Sequence, residues 1–318
     1  MSRKVFFDRV DLLLVSAKSQ YSSSLRQSLS DLEFRNIRNA ETVDDVLKAL
    51  ETRPPDFMIS DYQLADGVIC DVIRDIRHNR VGINPFMSII VTTWEPTEAL
   101  VREVADCGAD DLLVQPASRK QLSHRVEMLT YHRKHFVVTS NYIGPDRRNG
   151  PRPGKQVIEP KEVPNVMQAR VLGKDASSDI QREIDKAIEA LNLEKIVRNV
   201  SHIGYQTQQL LAAIRHEDDL EKINNIIDDI LMTSGETRRR LGNTDLQPVS
   251  KLCQSISDVA ERVRERLDDP LERDLKLMPA LAMSLRLAVK DKDENADTVN
   301  EISEAIAAPV TIREARTA

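Results

Sequence analysis

The sequence predicts an α/β domain built on a parallel sheet, followed by an all-α domain. Three observations predict it. Between Asp11 and Arg133, short apolar runs alternate with amphipathic stretches, the pattern of strand–helix units wrapped around a parallel sheet. Around residues 134–177 the alternation breaks into a stretch rich in Pro, Gly and Asn. From Ser178 onward apolar residues recur at three- and four-residue steps, with almost no strand signal.

The elements follow in order. Apolar runs at Leu12–Val15, Phe57–Ile59, Ile89–Val91 and Leu112–Val114 predict strands, with a weaker one near Phe34–Ile37. Between and after them, Ser22–Leu32, Thr42–Leu50, Val68–Arg77, Glu98–Asp106 and Ser118–His132 are amphipathic at helical period. Five such units within residues 9–133 suit the flavodoxin-like (βα)5 doubly wound order, in which functional sites lie at the carboxyl ends of the strands. Phe136–Gly154 is too rich in Pro and Gly for a long regular element, so 134–177 reads as an interdomain linker. The remainder, 178–318, reads as helices. A first stripe runs Ile180, Ile184, Ile188, Leu191, Val197, Val200 and Ile203. A second runs Leu220, Ile223, Ile226, Ile227, Ile230 and Leu231, after a polar break at His216–Asp219. A third runs Leu252, Ile256, Val259, Val263 and Leu267. Leu271–Val289 makes a fourth helix, bent or interrupted near Pro279, and Asp297–Ala307 a short fifth. An intramolecular bundle and an extended hairpin both fit. The first stripe is close to a heptad seam, which adds self-association as an alternative.

Composition narrows the function. The chain has 318 residues, 41% hydrophobic and 30% charged, enough for two ordinary domains with buried cores. A net charge of −6 argues against non-specific nucleic-acid binding. No apolar run approaches the roughly 20 residues that span a bilayer, and the start lacks a signal-peptide core, so the cytoplasm is the expected location. Cys70, Cys107 and Cys253 fit neither a zinc site nor a redox pair by spacing, and read as packed thiols. The six histidines show no metal-binding spacing.

One motif carries chemistry. Pro54–Gly67 reads as a short apolar strand ending in Asp61, then a turn through Asp66 and Gly67. With Ile89-Ile-Val-Thr-Thr93 and Asp106-Cys-Gly-Ala-Asp-Asp-Leu-Leu-Val-Gln-Pro116, in this order and spacing, residues 9–133 resemble the receiver domains of bacterial two-component response regulators. The resemblance implies Asp61 as phospho-acceptor and Thr92 as the hydroxyl that bonds a phosphoryl oxygen, with Pro116 at the family's proline. It also implies departures. The two metal-binding acids map to Ser16 and Ala17, the phosphoryl-pairing lysine to Gln115, the reporter aromatic to Leu112, and the proline after the acceptor to Ala65. Mg²⁺ wants several oxygen ligands, carboxylates above all, and phosphoryl transfer relies on positive charge around the transferred group. A site with one carboxylate and a neutral Gln115 has lost most of both. Lys18 is the nearest alternative cation in sequence. The expectation is a degenerate receiver, or pseudo-receiver, in which Asp61 is either a structural residue or an acceptor under some conditions. No cofactor is implied, except Mg²⁺ if Asp61 is phosphorylated.

Other candidates are weaker. His202 lies on a predicted helix, but Ile203 and Tyr205-Gln206-Thr207 depart from the histidine-kinase and phosphotransfer patterns. His216 stands near a helix end, where imidazole suits the dipole. Arg238–Arg240 precede Gly242, as basic residues do at a helix C-terminus, and no helix-turn-helix pattern appears. Trp94, the one tryptophan, is a candidate partner anchor, as are Leu112, Arg147 and Arg148. The segment Tyr142-Ile-Gly-Pro-Asp-Arg-Arg148 resembles one found after receiver domains in some regulators, where paired arginines can meet an acidic face or a phosphate; a solvated tether is the alternative. The expected function is non-catalytic signalling by protein contact, through the face Glu98–His132. A histidine kinase or another signalling protein is the expected partner, with homodimerisation through the helices and no nucleic acid or membrane insertion. The alternatives are a phosphorylation-dependent regulator and a helical scaffold with a docking head.

Overall fold

The computed structural model describes residues 7–17, 19–148, 158–174, 177–242, 244 and 246–290. The chain divides into two compact units, Met1–Leu191 and Asn192–Ala318.

The first unit is built on a five-stranded sheet. Strands β1 (Asp11–Val15), β2 (Asn36–Ala40), β3 (Phe57–Asp61), β6 (Ser88–Thr93) and β7 (Asp111–Val114) lie in the order β2-β1-β3-β6-β7. Every adjacent pair is parallel. The short strands β4 (Gln63–Leu64) and β5 (Gly67–Val68) form a separate antiparallel ladder just after Asp61. Helices α1 (Ser19–Asp31), α2 (Val43–Thr52), α3 (Ile69–Arg77), α4 (Glu98–Asp106) and α5 (Arg119–Tyr131) cross between strands. Local sequence sets their starts. Thr42 and Asp45 form a capping box on α2, Ser118 and Gln121 another on α5, and Thr97 caps α4. Strands buried on both faces divide their side chains by parity. Leu13, Met58, Ile89 and Val91 join one aliphatic layer with α2, α3 and α4. Leu12, Leu14, Phe57, Ile59 and Ile90 join the other with Leu29 of α1 and Leu122 and Val126 of α5. The second strand lies two residues later than the sequence suggests, because Phe34 is withdrawn into this second layer, stacked against Phe7 and Phe57.

The expectation of a tether across 134–177 differs most from the structure. Strands β8 (Phe136–Val138) and β9 (Ile143–Pro145) form a hairpin with all six residues buried. Helix α6 (Val166–Val171) inserts Met167 and Val171 into the layer beside α5, and Asn165 caps it while donating to the Leu129 carbonyl. Low regular-structure content hid this, because docking here depends on a few apolar residues between prolines and glycines. Ile180, Ile184, Ile188 and Leu191, in the first half of helix α7 (Ser177–Arg215), share a cluster with Phe86, Phe136, Val138 and Ile143.

The second unit contains the rest of α7, then α8 (Leu220–Leu241), α9 (Ser250–Arg264) and α10 (Glu272–Lys290), around one aliphatic core. The break expected at His216–Asp219 separates α7 from α8. Pro279 lies inside α10 rather than ending it. The expected fifth helix, Asp297–Ala307, lies outside the described residues. One stretch of the α7–α8 contact is polar. Lys195, fully buried, pairs with Glu236 at 3.6 Å, and Arg240 bonds both Glu236 and Asn192. Arg240 is therefore an interior residue, not part of an exposed basic helix end. His202 bonds Asp229 at 2.7 Å, and Gln206 reaches the same carboxylate. No described helix is long and apolar enough to cross a membrane.

Candidate functional site

Asp61 ends β3 at the carboxyl edge of the sheet, and its two carboxylate oxygens are held by two different hydroxyls. Ser16, just past β1, donates to Oδ2 at 2.7 Å. Thr92, near the end of β6, donates to Oδ1 at 2.6 Å. Parallel pairing places all three together, since Asp61 stands directly opposite Thr92 in the β3–β6 register. Leu14, Leu25, Ile59, Trp94 and Gln115 complete the crevice, whose open volume of about 10 Å³ is about what one water needs.

Asp61 is the sole carboxylate among the described residues lining this crevice, and among the described residues no three His, Cys, Asp or Glu side chains group to hold a metal. Ser16 spends its proton on Asp61, and the Ala17 side chain has no ligand atom. The donor set does not fit Mg²⁺, which needs about six oxygen ligands and prefers carboxylates. Gln115 joins Pro116 through a cis peptide bond, and its side-chain carbonyl accepts from the Ala117 amide at 3.1 Å. That bond turns the Gln115 acceptor, not a cation, toward its own loop. Lys18 lies outside the described residues.

The turn after Asp61 is fixed independently. Asp66 accepts from the Val43 and Asp44 amides at the start of α2, at 2.7 and 3.2 Å. The Val43 amide holds the Asp66 carboxyl below the usual carboxylate range. Tyr62 donates to Glu103 of α4 at 2.5 Å, and that bond pushes the Tyr62 phenol up to about 12. Trp94 is 40% exposed beside the crevice, Val101 and Val114 are exposed nearby, and Leu112 is half-buried against the aliphatic layer under α4.

The arginines singled out in the segment after residue 133 both bond within the chain. Arg147 donates to the Ala109 carbonyl. Arg148 pairs with Asp146 at 2.8 Å and donates to the Ile158 carbonyl at 2.9 Å. The rest of Tyr142–Arg148 serves the same attachment. The Tyr142 hydroxyl donates to the Pro145 carbonyl at 2.8 Å. Gly144 lies so close to the α4–β7 turn that a Cβ would stand 2.9 Å from the Gly108 Cα. Gly108 itself has φ +92° and passes the Ile143 carbonyl, which a Cβ would meet at 2.7 Å.

Beneath this attachment is a charged cluster that sequence reading missed. Asp110, just before β7 at the amino edge of the sheet, bonds Arg77 at 2.9 Å, Arg133 at 2.8 Å and the Ile89 amide at 2.8 Å. Arg77 also donates to the carbonyls of Pro85, Met87 and Gly108. Both guanidiniums lie over the Phe136 ring of the hairpin, 5.1 and 5.0 Å from its centroid. Burial alone would raise the Asp110 carboxyl, but Arg133 and Arg77 outweigh it and hold the group below its ordinary value. Burial lowers Arg77 to about 10, which leaves it charged at neutral pH. One signal was available: Arg77 falls four residues after Ile73, on the apolar stripe of α3.

Residues 12–127 match the family described as "Response regulator receiver domain". Two regulatory proteins match over part of the chain. The KDP operon transcriptional regulatory protein KdpE of Escherichia coli K12 is 29% identical over 130 residues, covering 41% of this chain and 54% of that protein. The photosynthetic apparatus regulatory protein RegA of Cereibacter sphaeroides is 27% identical over 113 residues, covering 36% and 59%. The matched region thus spans little more than half the length of these relatives. Among solved structures, the receiver domain of sensor histidine kinase PA1611 from Pseudomonas aeruginosa PAO1 aligns at 20% identity and TM-score 0.33, over 36% of this chain and 93% of that one. The receiver domain of a Luxo repressor protein from Vibrio parahaemolyticus aligns at 27% identity and TM-score 0.34, over 38% and 88%.

Proposed function

Residues 12–127 belong to the response regulator receiver family, and from that premise we propose that this two-component signalling regulator works by protein contact, without phosphoryl transfer at Asp61. The observation that carries the reading is the pair of hydroxyls on Asp61. Each oxygen already accepts a short bond from a neutral donor. A phosphoryl group arriving here would displace at least one of them and would find neither a metal-binding acid pair nor the family's lysine. A single lost donor at a developing charge typically costs about 3 kcal/mol, and here the positions of the metal-binding acids and of the lysine carry the neutral residues Ser16, Ala17 and Gln115.

In this reading the receiver is a non-catalytic pseudo-receiver, and its contact surface is the α4–β7–α5 face. Trp94, Val101 and Val114 are exposed apolar residues there. The partner is another signalling protein, a histidine kinase among the candidates, and the protein works in the cytoplasm without nucleic acid or membrane insertion. The helical unit is the output element and the candidate dimerisation element. The phosphorylation-dependent alternative keeps some support from Asp61 and Thr92 themselves, which match the acceptor and hydroxyl positions. The scaffold alternative treats the receiver as a docking head alone.

The test is direct. The full chain is incubated with acetyl phosphate and Mg²⁺ beside Asp61→Asn. We expect no label above that of the variant. Label that depends on Asp61 would overturn the reading in favour of the phosphorylation-dependent one. In the same assay the triple variant Ser16→Asp, Ala17→Asp, Gln115→Lys is expected to gain Asp61-dependent label.

A further inference from the structure

The structure brings together two cysteines that the sequence keeps far apart. Cys70 lies in the first turn of α3, and Cys107 caps the C-terminus of α4. Both are buried and belong to the same aliphatic layer of the first unit. The Cys107 Sγ donates its proton to the Val104 carbonyl at 3.2 Å, which leaves the sulfur lone pairs free to accept. Cys70 supplies the donor, so the two thiols face each other between α3 and α4. The third cysteine, Cys253, lies in the other unit.

The pair is chemically unequal. The hydrogen bond from Cys70, with the Ala109 amide and the charges of Arg77 and Arg74, outweighs burial and holds the Cys107 thiol below its ordinary value. Cys70 is pushed up, first by its bond to Cys107 and then by burial. The thiolate is the reactive form of a cysteine, so Cys107 is the attacking sulfur and Cys70 the resolving one. Access comes through α4. Of its residues Glu98–Asp106 only Val104 is buried, so little apolar contact opposes its local opening.

We propose that Cys70 and Cys107 form a reversible disulfide, an oxidation site that ties the end of α4 to α3. With hydrogen peroxide as oxidant, the Cys107 thiolate attacks one peroxide oxygen. The O–O bond breaks, and the hydroxide that leaves takes up the proton Cys107 gave up. Cys107 is then a sulfenic acid. The Cys70 sulfur attacks the Cys107 sulfur, the S–O bond breaks, and the departing hydroxide takes the Cys70 proton as a second water. Two thiols and one peroxide give one disulfide and two waters. The bond is independent of the fate of Asp61. Its use as an input rests on the contact reading above, because α4 carries Val101 of that face.

Treating the full chain with hydrogen peroxide tests it. After a quench with N-ethylmaleimide and unfolding, peptide mapping should find Cys70 and Cys107 linked and Cys253 alkylated. Burial pushes the Cys253 thiol up to about 12, so the linked pair should form at least about tenfold faster than any oxidation of Cys253. In Cys70→Ser the resolving sulfur is gone, and dimedone should trap Cys107 as its sulfenic acid. Cys107→Ser should leave Cys70 unmodified over the same time; the opposite asymmetry overturns the assignment of Cys107 as the attacking sulfur. Amides of 98–106 should exchange about tenfold more slowly in the oxidised parent chain. Free Cys70 and Cys107 in the peroxide-treated parent chain overturn the proposal whatever the variants do, as does linkage through Cys253 or between chains at the same rate. Unchanged exchange at 98–106 once the bond has formed overturns its role as an input to the α4 face.

Discussion

Two aspartates at opposite edges of one sheet have opposite surroundings. Asp61, at the carboxyl edge, is held by the neutral hydroxyls of Ser16 and Thr92. Asp110, at the amino edge, is buried between Arg77 and Arg133 and takes a backbone amide as well. In the receiver family the charged constellation belongs at the first edge. In this chain the first edge is electrostatically quiet among its described residues, and the second holds a buried ion triad whose guanidiniums lie over Phe136 of the added hairpin. The comparison separates two uses of a carboxylate. One is held by neutral hydroxyls at the carboxyl edge, and the other fastens the segment after α5 to the sheet.

The largest effect should come from the amino edge. Asp110→Asn leaves two buried guanidiniums without their counter-charge, and removing one partner of a buried ion group typically costs about 3–5 kcal/mol. Urea unfolding of the full chain should show a lowered midpoint for the first transition. Asp61→Asn, by contrast, should cost about 1 kcal/mol or less, because Asn keeps an acceptor and gives up only hydrogen bonds from neutral hydroxyls. Equal effects at the two positions would remove the contrast drawn between the edges.

Gly144→Ala comes next. Its Cβ would meet the Tyr142 hydroxyl at 2.6 Å and the Gly108 Cα at 2.9 Å, and overpacking of this kind costs about 1–3 kcal/mol. Limited proteolysis should then cut within residues 134–148 faster than in the parent chain.

A pH series sharpens the same point. The Asp110 carboxyl is held below its ordinary value by Arg133 and Arg77 against the opposing effect of burial. Its contribution to stability is therefore fully present above the unfolded value of about 3.9 and is lost as pH falls through the lower folded value. Asp110→Asn should flatten the acid limb of the stability curve in that range. A similarly small effect is expected from Ser16→Ala, about 1 kcal/mol from one lost hydrogen bond, read by thermal unfolding.

The five strand–helix units and the carboxyl-edge position of Asp61 were legible because they rest on periodic signals: apolar runs of strand length and stripes of helical period. Ser16 and Gln115 were placed beside Asp61 from spacing alone, and both line the crevice with it. The hairpin was not legible. Phe136, Val138 and Ile143 are too few to make a period, and what fastens them is a non-local set, Arg77, Asp110 and Arg133, spread over more than fifty residues. The buried Lys195–Glu236–Arg240 network of the helical unit escaped for a related reason. Charged residues on a helical pattern are read as its solvent face, and only the partner helix reveals them as interior.

The shared cluster of Phe136, Ile143, Ile184 and Leu191 has a practical consequence for anyone dissecting the chain. A fragment cut after residue 133, where the sequence alone would place the end of the α/β domain, would retain Arg77, Asp110 and Arg133 and strip away the ring that seals them. It would also bare Phe86, Met167's neighbours around α5 and the aliphatic floor under the missing hairpin. The sensible cloning boundary lies beyond Leu191, some way into α7, so a soluble, monodisperse receiver fragment is expected to carry the opening turns of that helix with it.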